Sequence, residues 1–250
     1  MSPILSIEAV TKNFGGIQAL NGVDLQLPDG DVKCIIGPNG CGKSTLFNII
    51  SGALPPTSGR VEFAGEDITG LTPPIISRLG VGRKFQVPAV FGDMTVTENI
   101  EIAAAAAKRA YLPLSMLRRR PDRSDYDRLL ADSGLGDYAG VVASELPHGI
   151  KQRLEIMMLV TTSARLLLLD EPTAGMTEAE TAATVALIRD IRANLGVSIL
   201  VIEHDMAFVR ELDCPVVVMM KGAVLTEGAY DDIKDDPEIR RAYLGEPVAC

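Results

Sequence analysis

Gly37-Pro38-Asn39-Gly40-Cys41-Gly42-Lys43-Ser44-Thr45 fits the phosphate-loop pattern G-x-x-x-x-G-K-[ST] at every position. Its flanks supply the context that the pattern needs. Val32-Lys33-Cys34-Ile35-Ile36 is a short β-rich run ahead of it, and Leu46-Phe47-Asn48-Ile49-Ile50 follows with helical character. A strand, a glycine loop and a helix start make an anion cradle, because successive backbone N–H groups and the helix dipole point at one place. In such a cradle the Lys43 ammonium bridges the β- and γ-phosphates, and the Ser44 hydroxyl holds Mg²⁺. The stretch predicts an α/β protein that binds a nucleoside triphosphate.

On the N-terminal side, residues 4–36 read as strands. Leu5, Ile7 and Ala9 alternate with more polar neighbours, as do Val23, Leu25 and Leu27, with turn signals at Gly15-Gly16 and Pro28-Asp29-Gly30. Arg60-Val61-Glu62-Phe63-Ala64 with Gly65 looks like a hairpin strand. From about residue 96 to 163 the chain turns helical, with an alanine run from Ala103 to Ala107 and punctuation at Pro113, Pro121 and Pro147. Strands and helices then alternate. Leu166 to Leu169 reads as a buried strand, Glu178 to Leu195 as a long helix and Val197 to Ile202 as another buried strand. Asp205 to Leu212 reads as a short helix and Val216 to Met220 as a further strand. The alternation implies a mostly parallel sheet with helices on both faces. The expected organisation is one domain: a core of residues about 1–87 and 163–250, with an antiparallel β region at its N-terminal side, and a helical lobe of about 88–162 inserted into it.

The strand Leu166 to Leu169 runs into Asp170-Glu171-Pro172. A buried strand ending in two acids delivers carboxylates to the C-terminal edge of the sheet, where ligands sit in open α/β folds. With a phosphate loop upstream, Asp170 is expected to hold Mg²⁺ and Glu171 to polarise the attacking water. His204 follows Ile199-Leu200-Val201-Ile202-Glu203, which brings it to the same edge as a γ-phosphate contact.

Composition narrows the alternatives. The chain has 250 residues, 24 basic and 33 acidic, and a net charge of −9, which argues against broad nucleic-acid binding. One basic cluster stands apart, Arg118-Arg119-Arg120 with Lys108 and Arg109 upstream; such clusters are solvated patches or meet lipid headgroups or acidic partners. The cysteines at 34, 41, 214 and 250 form no C-x-x-C pair, so neither a disulfide framework nor a zinc site is suggested, and a reducing cytosol fits. Met1-Ser2-Pro3-Ile4 lacks the basic and long apolar segments of a secretory leader, and no apolar stretch is long enough to span a bilayer. A membrane role is therefore expected to come through a partner.

Taken together, these motifs resemble the nucleotide-binding subunit of an ATP-binding-cassette (ABC) transporter, and the resemblance covers nearly all of the chain. It implies a P-loop NTPase fold with ATP and Mg²⁺ as ligands, and ATP hydrolysis as the activity. Phe14 of Asn13-Phe14-Gly15-Gly16 occupies the place of the aromatic residue that stacks on adenine. Gln86, in Gly82-Arg83-Lys84-Phe85-Gln86, matches the glutamine that contacts Mg²⁺ and reports to the membrane subunit. Ala174-Gly175-Met176-Thr177 match the loop that crosses the dimer interface, and Asp170, Glu171 and His204 match the hydrolytic acids and the switch histidine.

One motif departs from the family. The signature, usually Leu-Ser-Gly-Gly-Gln, reaches across a head-to-tail dimer to the other subunit's γ-phosphate. Here the segment is Leu146-Pro147-His148-Gly149-Ile150, followed by Lys151-Gln152-Arg153. Gly149 keeps close backbone approach available, but the serine hydroxyl is missing and Pro147 has no N–H. His148 is expected either to donate through its imidazole or to pack at the rim.

Finer features point inside the family. Gly82 to Pro88 with Phe91, Thr95-Val96-Thr97-Glu98-Asn99, Leu154-Glu155-Ile156 and Tyr243-Leu244-Gly245-Glu246 resemble importers of branched-chain amino acids, and especially of urea or short amides. The resemblance implies a second, different ATP-binding subunit, two membrane permease subunits, a solute-binding protein outside the membrane and a peripheral position on its cytoplasmic face. A soluble non-transport ABC ATPase and a low-turnover regulatory nucleotide-binding module are the competing readings.

Overall fold

The computed structural model describes residues 3–84, 90–107 and 133–234, together with Ala131, Asp236 and Ile239. Gln86, the basic cluster at Lys108, Arg109 and 118–120, Cys250 and the segment 243–246 lie outside the described residues.

Two sheets carry the fold. The first is antiparallel and four-stranded, in the order β2-β1-β4-β5, from β1 (Pro3–Phe14), β2 (Ile17–Pro28), β4 (Ser58–Phe63) and β5 (Glu66–Asp67). The second is six-stranded, in the order β10-β9-β3-β8-β7-β6, from β3 (Val32–Ile36), β6 (Val81–Lys84), β7 (Leu166–Asp170), β8 (Ser198–Ile202), β9 (Val216–Met220) and β10 (Ala223–Gly228). All its pairings are parallel except that of β9 with β10. The helices are α1 (Lys43–Ile50), α2 (Pro73–Leu79), α3 (Val96–Ala107), α4 (His148–Thr161), α5 (Glu178–Asp190), α6 (Met206–Leu212) and α7 (Tyr230–Ile233).

The run of four leucines in β7 is apolar throughout because both faces of the large sheet are covered. Leu167 and Leu169, with Ile199 and Val201 of β8, point into a core shared with α3, α4, α5 and α6. Leu166 and Leu168, with Leu200 and Ile202, point into a second core with α1 and the antiparallel sheet. Cys34, Cys41 and Cys214 are buried and free. Burial pushes the Cys214 thiol up to about 12 and raises Cys34 as well, which leaves both unreactive.

Several local expectations change. The alternation in β1 fails: Ile4, Leu5, Ser6 and Ile7 are all buried, and Ala9 is exposed with φ 46°. A bulge between Ile7 and Val10 shifts the phase of the strand. The helix expected from Glu178 to Leu195 is α-helical only to Asp190. It then widens into a π-helical turn, Ile191–Leu195, closed by Gly196 at φ 60°. α2, β6 and β10 add to the elements that the sequence pattern predicts. The first had its signals in place: Thr72 at the N-cap, Pro73 and Pro74 in the first turn and Gly80 at the C-cap.

Candidate nucleotide site

β3 ends in the phosphate loop, and α1 starts at its far side with Gly42 as N-cap. Gly42 has φ 108°, and a Cβ there would lie 2.7 Å from the Ala19 carbonyl of β2, so only glycine lets the two backbones pass. The same carbonyl closes on a second glycine, since a Cβ at Gly222 would lie 2.8 Å from it. Asn21 N–H donates to the Gly222 carbonyl at 2.7 Å, and Gly222 N–H donates to the Cys41 carbonyl at 3.0 Å. The β1–β2 hairpin, the β9–β10 turn and the phosphate loop are thereby tied main chain to main chain.

Lys43 is buried, and its Nζ donates to the Gly37 and Pro38 carbonyls at 2.7 and 3.1 Å. The ammonium is folded back on its own loop. Asn39, Gly40 and Ser44 are exposed. Phe14, 45% exposed at the end of β1, has Lys12 Nζ 5.3 Å from its ring centroid, and that ammonium also donates to the Pro55 carbonyl at 2.6 Å.

The acidic edge is set by parallel register. Asp170 pairs with Ile202, so Glu171 and His204 emerge from neighbouring strand ends. Glu171 N–H donates to the Ile202 carbonyl at 2.9 Å, which holds Glu171 at a left-handed φ of 47°. Its Oε1 then lies 3.0 Å from His204 Nε2. Burial pushes the Asp170 carboxyl above its ordinary range, against the pull of Arg83. A cation beside it would relieve that penalty. The Ser44 hydroxyl and the Asp170 carboxylate are hard oxygen donors of the kind Mg²⁺ takes.

Two further groups escaped sequence reasoning. Glu203 is buried, and its Oε1 accepts from Thr173 N–H at 3.0 Å and from Thr173 Oγ1 at 2.6 Å. Its Oε2 accepts from His204 N–H at 3.0 Å. This carboxylate clamps the turn after Glu171 to the end of β8. The available signal was an acid closing an apolar strand. Lys84, 1% exposed, places its Nζ 3.8 Å from Glu155 Oε2 of α4. Burial lowers its pKa, while Glu155, Asp170, Glu203 and Glu171 oppose the shift, in that order. The neighbouring Arg83 donates to Asn48 Oδ1 and Ser51 Oγ, both at 2.7 Å.

A cavity of about 160 Å³ is lined by Ala19, Asn39, Gly40, Gly42, Lys43, Ser44, Thr45, Glu171 and His204. The structure thus gathers the loop, the acid and the histidine around one space, with Asp170 at the end of β7 just before Glu171 and Phe14 on the hairpin that also supplies Ala19. The 146–150 segment is not in that lining. Leu146 and Ile150 are buried, and Pro147 is the N-cap of α4 without a side-chain cap bond. His148 Nε2 lies 3.1 Å from the Ala174 carbonyl. A carbonyl only accepts, so the ring donates through Nε2–H to its own chain.

A phosphate loop after β3, a histidine just past the end of the adjacent strand β8 and an acid-tipped strand β7 beyond it define an ATP-hydrolysing P-loop cassette. The ABC transporter family model matches residues 20–174, and the chain belongs to that family. The branched-chain amino acid transport ATP-binding protein BraF of Pseudomonas aeruginosa is 38% identical, with 98% of each chain covered. LivG of Escherichia coli, likewise a high-affinity branched-chain amino acid transport ATP-binding protein, is 37% identical over 98% of each. Among solved structures, the ADP conformation of MJ1267, an ATP-binding cassette of an ABC transporter, superposes with a TM-score of 0.83 at 32% identity, over 98% of this chain and all of that one. The chain is an ATP-binding ATPase of this family.

Proposed function

We propose that this chain powers an importer of branched-chain amino acids, bound to the cytoplasmic side of the membrane beside permease subunits and a second, different ATPase. The observation that carries the catalytic part is the meeting of Glu171 and His204 over the phosphate loop around one cavity. The solute rests on the similarity to BraF and LivG. Urea or a short amide is the finer reading that the segments around Gly82 and Leu154 suggest.

In this reading Phe14 offers a ring face to the base, and the loop N–H groups from Gly37 to Thr45 cradle the phosphates. Lys43 leaves the Gly37 and Pro38 carbonyls for the phosphate oxygens. Glu171 orients the attacking water, and His204 holds the γ-phosphate side of the same cavity. Ser44 and Asp170 hold Mg²⁺, with Gln86 as a further ligand; when bound, the ion neutralises charge developing on the phosphates.

Among the described residues no helix is long and apolar enough to cross a membrane, so the work of hydrolysis has to leave through a contact. A groove of about 540 Å³ between α2, β6, α3 and α4 is lined by Pro73, Pro74, Ile76, Phe91, Met158 and Leu159, among others. Phe91 is 48% exposed. This groove suits an apolar helix of the permease. The test is the complete transporter in proteoliposomes. Leucine is expected to stimulate ATP hydrolysis and to be taken up, and Phe91→Asp to abolish uptake while basal hydrolysis persists. Uptake of urea or acetamide in place of leucine would move the solute to the finer reading. Intact uptake by an assembled Phe91→Asp complex would remove the groove from coupling.

A further inference from the structure

The N-terminus of α4 already has an anion of its own chain seated on it. Helix N-termini leave N–H groups without partners and attract negative charge. Pro147 supplies no capping side chain there. Against this end lies Glu180, in the first turn of α5. A Cβ at Gly149 would lie 2.5 Å from Glu180 Oε1 and 2.7 Å from its Cδ, so the carboxylate rests directly on the glycine. The other oxygen, Oε2, accepts from Thr177 N–H and Thr177 Oγ1, each at 2.9 Å, and completes the capping box that starts α5. Thr177 chiefly, and the Gly149 N–H as well, hold the Glu180 carboxyl below its ordinary range, so it carries a charge at neutral pH. The contact of His148 with Ala174 fastens the same helix end to the same turn, 3.1 Å away.

We propose that Glu180 is the resident counter-ion of the Gly149 segment: it holds that segment on its own chain and yields when the γ-phosphate of ATP bound to the partner ATPase arrives. The inference rests on the reading above, in which residues 146–150 serve the partner's nucleotide. Two anions at one helix end repel, and the phosphate, with the larger charge, takes the N–H. Glu180 is thus a positioning residue that acts through Gly149. It raises the ATP concentration at which the two chains close on each other.

Glu180→Gln isolates the charge, because it is isosteric and glutamine also completes a capping box. The background is Glu171→Gln, in which the closed complex is not lost to hydrolysis. The chain and its partner ATPase are labelled separately, and their association is titrated with ATP by fluorescence energy transfer, alongside thermal denaturation. The ATP concentration for half-maximal association is expected to fall about two- to fivefold in the double variant, the scale of one charge at a helix N-terminus. The thermal midpoint is expected to fall only slightly, because the fold favours the charged carboxylate at a partly exposed position. An unchanged or increased ATP requirement overturns the proposal, and an increase with a markedly lowered midpoint marks Glu180 as merely structural. If the Glu171→Gln chain shows no ATP-dependent association at all, the reading beneath the proposal fails and takes it along.

Discussion

The phosphate loop and the 146–150 segment both present a helix N-terminus, α1 in one case and α4 in the other. At α1 the first turn holds no acidic residue, and Lys43 stands inside the loop, so the positive end is left for a ligand. At α4 the residue before the helix is a proline, and the chain's own Glu180 rests on Gly149. The same backbone device becomes a receptor where the chain withholds its own anions, and a dormant contact where it supplies one. The supports differ as well. Glu171 and His204 stand on neighbouring buried strands whose register fixes their separation. His148 and Gly149 depend on a surface turn.

The largest expected effect tests the receptor half. Glu171→Gln should keep ATP binding and lower hydrolysis by about 10²- to 10⁴-fold in the assembled transporter, the usual worth of a positioned general base. Wild-type turnover would show that the strand-built edge is not where water is activated. The next test repairs the dormant half. Pro147→Ser returns a hydroxyl and an N–H, and Ile150 is left alone because it packs in the core. ATPase activity of the purified chain alone should rise, by about 10²- to 10³-fold if one of the two recovered donors reaches the phosphate. No rise would shift the weakness of the segment from its donors to its tether.

Smaller effects sharpen the contrast. Glu203→Gln removes the charge that clamps Thr173 to β8, and kcat is expected to fall roughly tenfold with KM for ATP unchanged, the scale of a hydrogen bond to a charged group. A change in KM alone would place Glu203 with binding rather than with alignment. Phe14→Ala is expected to weaken ATP binding by about 1 kcal/mol, the low end for stacking, because the ring is half exposed. Calorimetry of the isolated chain measures it, and an unchanged affinity removes Phe14 from the base site.

Much of this was legible in the sequence where physics is local. The phosphate loop announces itself by glycine spacing. The β7 run reads plainly because a strand covered on both faces has no polar position to interrupt it. Where tertiary structure decides, the reading stops. β6 escaped because Gly82-Arg83-Lys84 looks like a polar loop. Lys84 is nonetheless buried at the sheet edge, with Glu155 as its counter-charge far along the chain. The phase of β1 was misread because a bulge at Ala9 is invisible to alternation. The acids of the site divide in the same way. Asp170 and Glu171 cap an obvious strand, whereas Glu180 looked like an ordinary helical residue until α5 was packed against α4.

The Ala19 carbonyl, wedged between Gly42 and Gly222, has a consequence for what the site measures. Because the hairpin bearing Phe14 cannot slide against the phosphate loop, the gap between base and phosphate subsites works as a fixed gauge. Such a gauge tolerates one ring system in place of another, since a π-face has no letter code. A ligand one phosphate shorter still spans base and β-phosphate positions, but it leaves Glu171 and His204 facing empty water. Length, more than the identity of the base, is what this arrangement reads.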